Sequence, residues 1–381
     1  MVESGALLRR YMGYTVSRVR IPSSLPKTIK GIKLMEIDKD KLQIDELFKS
    51  LGRIANNHPT VVIQILHEVL RLSYQNDPYI EAKDGFRHTY FRMMNAVEIS
   101  ITIAKKFSSF GSYNLKFSKK SFDDIKLQTG DVYATAWAKN NDETFLVNNA
   151  LEIIKTRFGT NDIPIELIKD KKLLDLGCGS GRYSVALSLL GAKVTGVDFG
   201  EDNLEKGRNL ALNFNQEVDF QKQNILELDF EDESFDFVFC NGVTHHTGNM
   251  KKATQELFRV LRQDCFSWYY VYGNGGLQWY LIQKCNKFFK RHYIPKEFTS
   301  QFLLMIGMPE NRHIFIDHFY VPILENTYKT DFEKLLTDTG FSSYRRCVNG
   351  TKTDMDDLSE NGSDLDKKVW GDAELRYLVK K

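Results

Sequence analysis

Cysteine is scarce in this sequence, and the cysteines that are present do not stand in pairs. The 381 residues include five cysteines, with no CxxC motif among them. Such scatter is typical of a protein in a reducing compartment, and it argues against a disulfide framework and against a zinc site. We therefore expect a cytoplasmic protein with no bound metal. The five are Cys178, Cys240, Cys265, Cys285 and Cys347.

Long apolar runs and a marked excess of one charge are also missing. No run of about 18 apolar residues occurs, so we expect no transmembrane span. A net charge of +2 with 27% charged residues produces no overall field of the kind that marks nucleic-acid or membrane-surface proteins. The hydrophobic content of 42% is ordinary for a globular protein of one large or two average domains.

Acidic residues are absent from the stretch "LLRRYMGYTVSRVRIPSSLPKTIKGIK" near the start of the chain. Within it, "RVRIPSS" corresponds to the translated T-arm sequence of tRNA genes (GTTCGAATC). Our hypothesis is that residues 1–34 are a non-native or disordered extension and that Met35 is the true start. An organelle transit peptide is the alternative. A coding-only genomic context without a tRNA gene would contradict the hypothesis.

Residues 35–125 are predicted to form a helical region. Three segments in it repeat apolar residues at steps of three and four positions, the period of an amphipathic helix. Asn76-Asp77-Pro78 interrupts the region. We expect a small helical cap or an interaction module, with a packing appendage without chemistry as the alternative. The segments are "DKLQIDELFKSLGRI", "TVVIQILHEVLRLSYQ" and "FRMMNAVEISITIAKKF".

From Asp170 onward, short apolar strands alternate with helical segments, which predicts an α/β fold with a doubly wound sheet. We expect the core over residues 126–272, with its end over 329–381. Between them, residues 273–328 are aromatic, basic and helical in pattern. An insertion at the carboxyl edge of a parallel sheet lies over the ligand crevice, so we expect a substrate lid. The polar stretch 349–366 is predicted to be a solvated loop.

The most informative motif is "LLDLGCGSGRYS", residues 173–184, in which an apolar strand runs into a glycine-rich turn. A phosphate-binding P-loop requires Lys and then Ser or Thr after its last glycine, but Arg182-Tyr183 follows Gly181. A dinucleotide fingerprint requires a third glycine where Arg182 stands, which disfavours a nicotinamide oxidoreductase. Asp198 ends the next strand, 17 positions after Gly181, where an acid can accept hydrogen bonds from both hydroxyls of a ribose.

These motifs resemble those of the class I S-adenosylmethionine-dependent methyltransferases. The likeness covers about Asp170 to Phe341, and the motifs stand in the family's order. "LLDLGCGSG" matches the first motif, "GVDF" the second and "FQKQNILELDFEDESFDFV" the third. "NGVTHHTGNMKKATQELFRVLR" matches the fourth strand and the helix after it. The resemblance implies a seven-stranded Rossmann-like sheet, S-adenosyl-L-methionine as cofactor and methyl transfer as the activity.

The same resemblance implies a set of cofactor-binding residues. The backbone of the first motif approaches the methionyl part of the cofactor, and Asp198 holds the ribose. Asn224 would bind the adenine amino group through its carbonyl, while Ile225 packs against the ring. Tyr133 would cover the cofactor's carboxylate, with ordinary aromatic packing as the alternative for it and for Trp137. The full set is Asp175, Gly177, Cys178, Gly179, Gly181, Asp198, Phe199, Asn224, Ile225, Asn241 and Tyr133.

The chain departs from the family pattern at two places. Asn224 replaces the usual Asp of the third motif. The tripeptide "QDC", residues 263–265, stands where many members have Pro-Gly-Gly. We expect the second difference to change only a turn.

His245 and His246 are the best candidates for a general base, because they follow the fourth strand at the edge where this fold places the substrate. The alternative is that they orient a loop or the cofactor. As metal ligands they are poor, since adjacent side chains diverge and no third ligand is evident. Glu256 and Arg259 are predicted to be a structural ion pair on the following helix.

The range of possible methyl acceptors is narrowed mainly by motifs that are missing from "NGVTHH". It contains neither the Asn/Asp-Pro-Pro-Tyr/Phe tetrapeptide, which the resemblance ties to adenine and glutamine-amide methylation, nor the Pro-Cys of cytosine carbon-5 enzymes. We predict methyl transfer to an oxygen, nitrogen or carbon nucleophile of a small molecule, such as a quinone, isoprenoid, sugar or specialised metabolite. An RNA or protein methyltransferase and a non-catalytic cofactor-binding subunit remain as alternatives. Nucleic acid is not the expected partner, and the oligomeric state stays open.

The insertion also carries a run of basic residues among aromatic ones. A solvated basic helix face is the commonest reason for such a run. Contact with phosphate, or with an anionic membrane surface, is the alternative. The residues are Lys284, Lys287, Lys290, Arg291 and Lys296.

Overall fold

A computed structural model describes residues 35–74, 89–108, 143–296, 298–299, 316, 318–352 and 354–381. From Ile37 to Lys381 the chain forms one compact unit. The extension 1–34, Tyr133 and Trp137 lie outside the described residues, so the expectations about them stay predictions.

A seven-stranded sheet in the order β3-β2-β1-β4-β5-β7-β6 forms the centre of the protein. Strands β1 to β5 are parallel, while β7 runs antiparallel to both β5 and β6. The α/β, seven-stranded prediction is confirmed. The strands are β1 Lys172–Leu176, β2 Lys193–Asp198, β3 Val218–Lys222, β4 Phe235–Asn241, β5 Leu261–Tyr272, β6 Ser343–Arg346 and β7 Glu374–Lys380.

The central strands are apolar on both faces, as buried parallel strands are. In β4, Phe237 and Phe239 pack on one face, and Val238 and Cys240 pack on the other. Strand order reverses at β1, which lies between β2 and β4. Ligands of such sheets bind beyond the carboxyl ends of the strands at this reversal point.

Helices cover both faces of the sheet and extend beyond one edge. The three helices before the core appear close to where the apolar periodicity predicts them. The bounds are α1 Met35–Gly52, α2 Pro59–Tyr74, α3 Thr89–Phe107, α4 Glu143–Thr160, α5 Arg182–Leu189, α6 Glu201–Asn213, α7 Met250–Val260, α8 Leu277–His292, α9 Lys329–Thr339, α10 Asp356–Asn361 and α11 Asp364–Trp370. Across these described ranges, no helix combines the length and the apolarity needed to cross a bilayer.

The N-terminal helices and the insertion share one hydrophobic core, although they are far apart in sequence. Leu47 and Leu66 belong to the same buried cluster as Ile282 and Phe289. Phe289 stacks on Phe319, with ring centroids 4.3 Å apart. We call α1, α2, α3, α8 and residues 316 and 318–320 the helical cap. Each amphipathic helix buries its apolar face against the others, so α1, α2 and α3 are integral parts of this cap.

The prediction of a solvated loop over residues 349–366 is wrong. Helices α10 and α11 occupy much of this stretch, and Asp354 and Asp356 are buried in it. Ser363 and Asp366 form a capping box at the start of α11. The acidic residues that suggested solvent exposure are partners of buried arginines and helix N-termini.

The turn expected at "QDC" is a bulge inside a strand. Phe235 pairs with Leu261, but Phe237 pairs with Phe266, so the four residues 262–265 of β5 lie opposite the single residue 236 of β4 and three of them are extra. Asp264 adopts a φ of 61° within this bulge. Extra residues of this kind bend a strand and terminate regular pairing locally.

The basic run of the insertion is solvated only in part. Lys287 and Arg291 are exposed, as expected for a solvated face. Lys284 forms an ion pair with Asp45, Lys290 donates to the carbonyl of Pro322, and Lys296 is buried. Two of the five lysines and arginines therefore point to solvent.

Candidate functional site

The glycine-rich loop joins β1 to α5 at the carboxyl edge of the sheet. Gly177, Gly179 and Gly181 all have positive φ, at 79°, 54° and 80°. A Cβ at Gly177 would overlap the side chain of Val243, and one at Gly181 would lie 2.7 Å from Phe220. A Cβ at Gly179 would meet nothing within 4 Å. The loop is therefore tightly packed at Gly177 and Gly181, whereas open space lies next to Gly179.

Asp198, at the end of β2, holds this loop from the side. Its carboxylate accepts hydrogen bonds from the backbone N–H groups of Gly179 at 3.0 Å and Gly200 at 2.9 Å. Burial raises the pKa of Asp198, and these hydrogen bonds oppose the rise. The Asn203 side chain and the backbone of Phe199 also hydrogen-bond to this carboxylate, so Asp198 fixes the turns on both sides of the position expected for a ribose.

Asp175 lies beneath the loop rather than on its open side. It is 3% exposed and accepts a 2.6 Å hydrogen bond from Ser184 Oγ. Burial raises the pKa of Asp175 to about 7, against the lowering effect of Ser184. Cys178 is also buried, and burial raises the pKa of its thiol well above its usual range. These two side chains support the loop, so only its backbone faces the open space.

The ends of β2, β3 and β4 bring the other predicted residues to the same edge. Phe199 exposes 60% of its surface directly after Asp198. Asn224 is exposed, but its carbonyl oxygen already accepts from the N–H of Leu226 at 3.0 Å. Ile225 is partly buried beside it. At the end of β4, Asn241 Oδ1 accepts from Trp268 Nε1 at 3.0 Å.

Residues 174–267, which include all of these strand ends, match a family model described as a methyltransferase domain. This part of the chain is a methyltransferase domain. The first and second motifs that carried the resemblance in the sequence lie within the matched stretch, together with the fourth strand.

Curated relatives of the methyltransferase domain agree with this assignment. The chain is 34% identical over 96 residues to the uncharacterized methyltransferase YcgJ of Bacillus subtilis, covering 25% of this chain and 38% of that protein. It is 30% identical over 148 residues to a ubiquinone biosynthesis O-methyltransferase of Idiomarina loihiensis, covering 39% and 60%. It is 36% identical over 95 residues to a demethylmenaquinone methyltransferase of Clavibacter sepedonicus, covering 25% and 38%. The likeness thus spans less than two thirds of each relative.

S-adenosylmethionine is the cofactor of this methyltransferase family, and the strand ends fit it. The open space above Gly179 allows backbone to approach the methionyl part closely. Asp198 ends β2 beside the open turn, where the ribose would lie, and the exposed ring of Phe199 offers a face for the adenine. Since S-adenosylmethionine carries no phosphate, the absence of a P-loop lysine after Gly181 agrees with it.

His245 and His246 follow β4 in a short 3₁₀ turn and are both buried. The Nδ1 atom of His245 accepts from the N–H of Tyr272 at 3.4 Å, whereas Nδ1 of His246 donates to the carbonyl of Ile323 at 2.8 Å. The two imidazoles therefore carry different tautomers. Burial lowers the pKa of His246 to about 4 and that of His245 well below its usual range. Both rings are neutral near pH 7.

The insertion contributes to the same edge through its last residues. Glu325 N–H donates to the carbonyl of His245 at 3.0 Å, and Thr327 N–H donates to the carbonyl of Tyr272 at 3.2 Å. The segment therefore runs beside the carboxyl ends of β4 and β5, where a lid was expected.

Glu256 and Arg259 form the structural pair that their spacing on a helix predicts. Arg259 Nη2 lies 2.9 Å from Glu256 Oε2. The same arginine donates to the carbonyls of Leu228 and Phe230, and Glu256 accepts from the N–H of Leu228. The pair ties the loop after β3 to α7, away from the glycine loop.

Four polar residues near the site were not among the predicted site residues, although one of them, Ser184, ends the glycine-rich motif. Ser184 supports Asp175, and Tyr270 packs against Gly242 just past β4. Glu374 and Arg376 come from β7, more than a hundred residues later in the chain. Only the antiparallel pairing of β7 with β5 brings them here, so no local signal could have found them.

Proposed function

We propose that the protein is an S-adenosylmethionine-dependent methyltransferase that acts on a small-molecule acceptor in the cytoplasm. The observation that supports this best is the pairing of Asp198 with the open Gly179 turn. Relatives named as ubiquinone and demethylmenaquinone methyltransferases support a small-molecule acceptor. The acceptor would lie over the carboxyl ends of β4 and β5, beside the donor at β1 and β2.

Positioning is the main task of the protein in this reaction. When bound, S-adenosylmethionine supplies an electrophilic sulfonium methyl group. Asp198 would fix the ribose, the glycine loop would fix the methionyl part, and Asn241 would border the acceptor. Holding donor and acceptor in line is worth up to about 7–11 kcal/mol in well-oriented systems. The last residues of the insertion, Glu325 to Thr327, lie beside the ends of β4 and β5 and would exclude water from the space between donor and acceptor.

General-base catalysis by His245 or His246 stays a prediction. Both rings are neutral near pH 7, as a base must be, but their low pKa makes them weak proton acceptors. The fixed tautomers suit them better to orienting the acceptor through neutral hydrogen bonds.

Calorimetry with S-adenosylmethionine and NADH tests the proposed cofactor. We expect the sulfonium cofactor to bind and NADH not to bind. Asp198→Ala should weaken binding at least about tenfold, because a charge-assisted hydrogen bond to a ligand is worth about 1.5–3 kcal/mol. The control is Asp202→Ala, which removes an exposed carboxylate from the first turn of α6.

Binding of NADH without binding of S-adenosylmethionine would overturn the proposal. Cofactor binding without any label transfer from methyl-labelled donor to small molecules of a cell extract would instead favour the non-catalytic subunit. Label found in RNA or protein would point to the remaining alternative.

A further inference from the structure

Strand β7 adds polar side chains to the edge of the sheet where the acceptor would bind. Its antiparallel pairing places Arg376 opposite Tyr270 and Glu374 opposite Tyr272. Directly opposite residues of an antiparallel pair project from the same face of the sheet. The backbone carbonyl oxygen of Tyr270 also accepts a hydrogen bond from the backbone N–H of Gly242, with 3.0 Å between nitrogen and oxygen. Glu374 therefore lies at the β5 side of the methyltransferase crevice.

Arg376 is buried and already engaged with other carboxylates. Only 4% of its side chain is exposed, and it forms ion pairs with Asp356 and, at 3.3 Å, with Asp354. Arg157 of α4 binds Asp354 through two hydrogen bonds of 2.8 Å. The guanidinium of Arg376 lies over the ring of Tyr270, 4.6 Å from its centroid.

Glu374 is the member of this cluster that faces outward and is held most loosely. About a quarter of its side chain, 24%, is exposed, compared with 1% for Asp356 and 6% for Asp354. Its contact with Arg376 is 3.7 Å, longer than the other ion pairs of Arg376. Besides this contact and a hydrogen bond with its own backbone, the carboxylate can accept further hydrogen bonds.

By formal charge, the cluster has one negative charge more than it has positive charges, and burial raises the pKa of Asp356 to about 7 and that of Glu374 above its ordinary value. Arg157 and Arg376 face three carboxylates, those of Asp354, Asp356 and Glu374. A neighbouring group of charged residues consists of Lys329 and Arg346 with Glu360 and Asp372. Its two positive charges equal its two negative charges, so it has no positive charge to spare for the cluster.

The other titratable groups at this edge add no positive charge. Burial keeps His245 and His246 unprotonated, with pKa values below the usual range, and raises the pKa of Tyr270 far above it. His245 Nε2 has no hydrogen-bond partner among the described residues, although the side chain is fully buried. The imidazole ring of His245 is centred 3.9 Å from the ring of Tyr272. Its unsatisfied Nε2–H group could donate a hydrogen bond to an oxygen atom of a ligand.

We propose that the acceptor is a cationic amine with an oxygen-bearing group, and that Glu374 binds its ammonium. An ammonium beside Glu374 would neutralise the excess charge of the cluster. The rings of Tyr270 and Tyr272 flank this position and can contribute cation–π attraction. The inference rests on the proposed methyltransferase function and assigns the charge of the acceptor, not the atom that is methylated.

Three phenols that differ only in charge test this inference. Calorimetry would measure binding of tyramine (cation), 4-ethylphenol (neutral) and 4-hydroxyphenylacetate (anion) to the protein saturated with S-adenosylhomocysteine. We expect tyramine to bind at least about tenfold more tightly than 4-ethylphenol, and the anion to bind most weakly. Glu374→Gln should abolish the preference for tyramine and leave 4-ethylphenol within about twofold, whereas Glu374→Asp should retain part of the preference.

The matched control is Glu333→Gln, which removes a carboxylate on the other face of β7, where it accepts from Tyr377 Oη at 2.7 Å. This variant should keep the wild-type order of the three phenols. Three results would overturn the inference. They are an unchanged order of affinities in Glu374→Gln, a preference of the wild-type protein for the anion, and a failure of all three phenols to bind. Because S-adenosylhomocysteine binding is measured first, its failure would count against the proposed function instead.

Discussion

At the level of single residues, Gly179 and Gly181 show how similar backbone conformations serve different purposes. Both lie in the left-handed region, with φ of 54° and 80°. Gly181 must be small because a Cβ at this position would lie 2.7 Å from Phe220 and 2.9 Å from the backbone of Gly207. Gly179 has open space where its Cβ would be. We therefore assign packing to Gly181 and access for the cofactor to Gly179.

Alanine at each of these two positions separates stability from binding. Gly181→Ala should lower the free energy of unfolding by about 2–4 kcal/mol, from backbone strain and overpacking together. Gly179→Ala should cost only about 1–2 kcal/mol, the strain alone. It should nevertheless weaken S-adenosylmethionine binding more than Gly181→Ala does. Denaturant unfolding and calorimetry on both variants check this, and the opposite order of binding losses would refute the assignment.

At the level of elements, the stretch from Asp354 to Trp370 connects the sheet to the helical cap. Asp354 joins Arg157 of α4 to Arg376 of β7. Lys368 of α11 forms a buried ion pair with Asp40 of α1. These contacts explain why a segment rich in polar residues is folded into helices.

Arg157→Leu should destabilise the protein by about 3 kcal/mol, because it leaves the buried carboxylate of Asp354 short of a partner. The arginines hold the pKa of Asp354 well below its usual range. The stabilisation is therefore complete above the ordinary pKa of Asp, near pH 4, and is lost as the pH falls towards the folded-state value. The difference in unfolding free energy between wild type and variant should thus shrink on acidification.

Arg208→Leu is the control for this change. Its guanidinium pairs with Glu201 at the surface, with both side chains about half exposed. Exposed pairs contribute about 0–1 kcal/mol. A loss of the same size in both variants, with no pH dependence, would show that the buried cluster has no special role.

At the level of the whole molecule, the helical cap differs in side-chain burial from the proposed cofactor edge, by which we mean the carboxyl ends of β1, β2, β3 and β4. The cap consists of large apolar side chains buried between helices from distant parts of the chain. The cofactor edge consists of strand ends that leave groups such as Phe199 exposed. Losing a side chain should accordingly affect folding in the first region and binding in the second.

Two phenylalanines provide a matched test of this difference. Phe289→Ala, in the cap core, should lower the unfolding free energy by about 3–5 kcal/mol with cofactor affinity unchanged below the melting transition. Phe199→Ala should change stability by no more than about 0.5 kcal/mol but weaken cofactor binding. Equal effects of the two substitutions on cofactor affinity would contradict the separate roles.

Much of the fold could be predicted from local patterns. The apolar runs of β1, β2 and β4 and the periodic helices between them are short-range signals, and the structure confirms them. The bulge at residues 262–265 and the helices α10 and α11 were missed. In α10, polar residues that look solvent-exposed in the sequence are buried by partners far away along the chain, such as Arg376 for Asp356. In the bulge, Asp264 is exposed, and its partner Lys380 is likewise distant in sequence.

The sequence by itself determined the methyl donor's side of the protein, because strand, glycine turn and Asp198 form one continuous stretch whose geometry is local. Only the tertiary structure decided the acceptor's side. Tyr270, Glu374 and Arg376 meet through the pairing of β5 with β7. The cap likewise joins α1, α2 and α3 to α8. Contacts between distant segments form wherever burial and charge pairing outweigh the entropy of closing the loop, and no short motif records that balance.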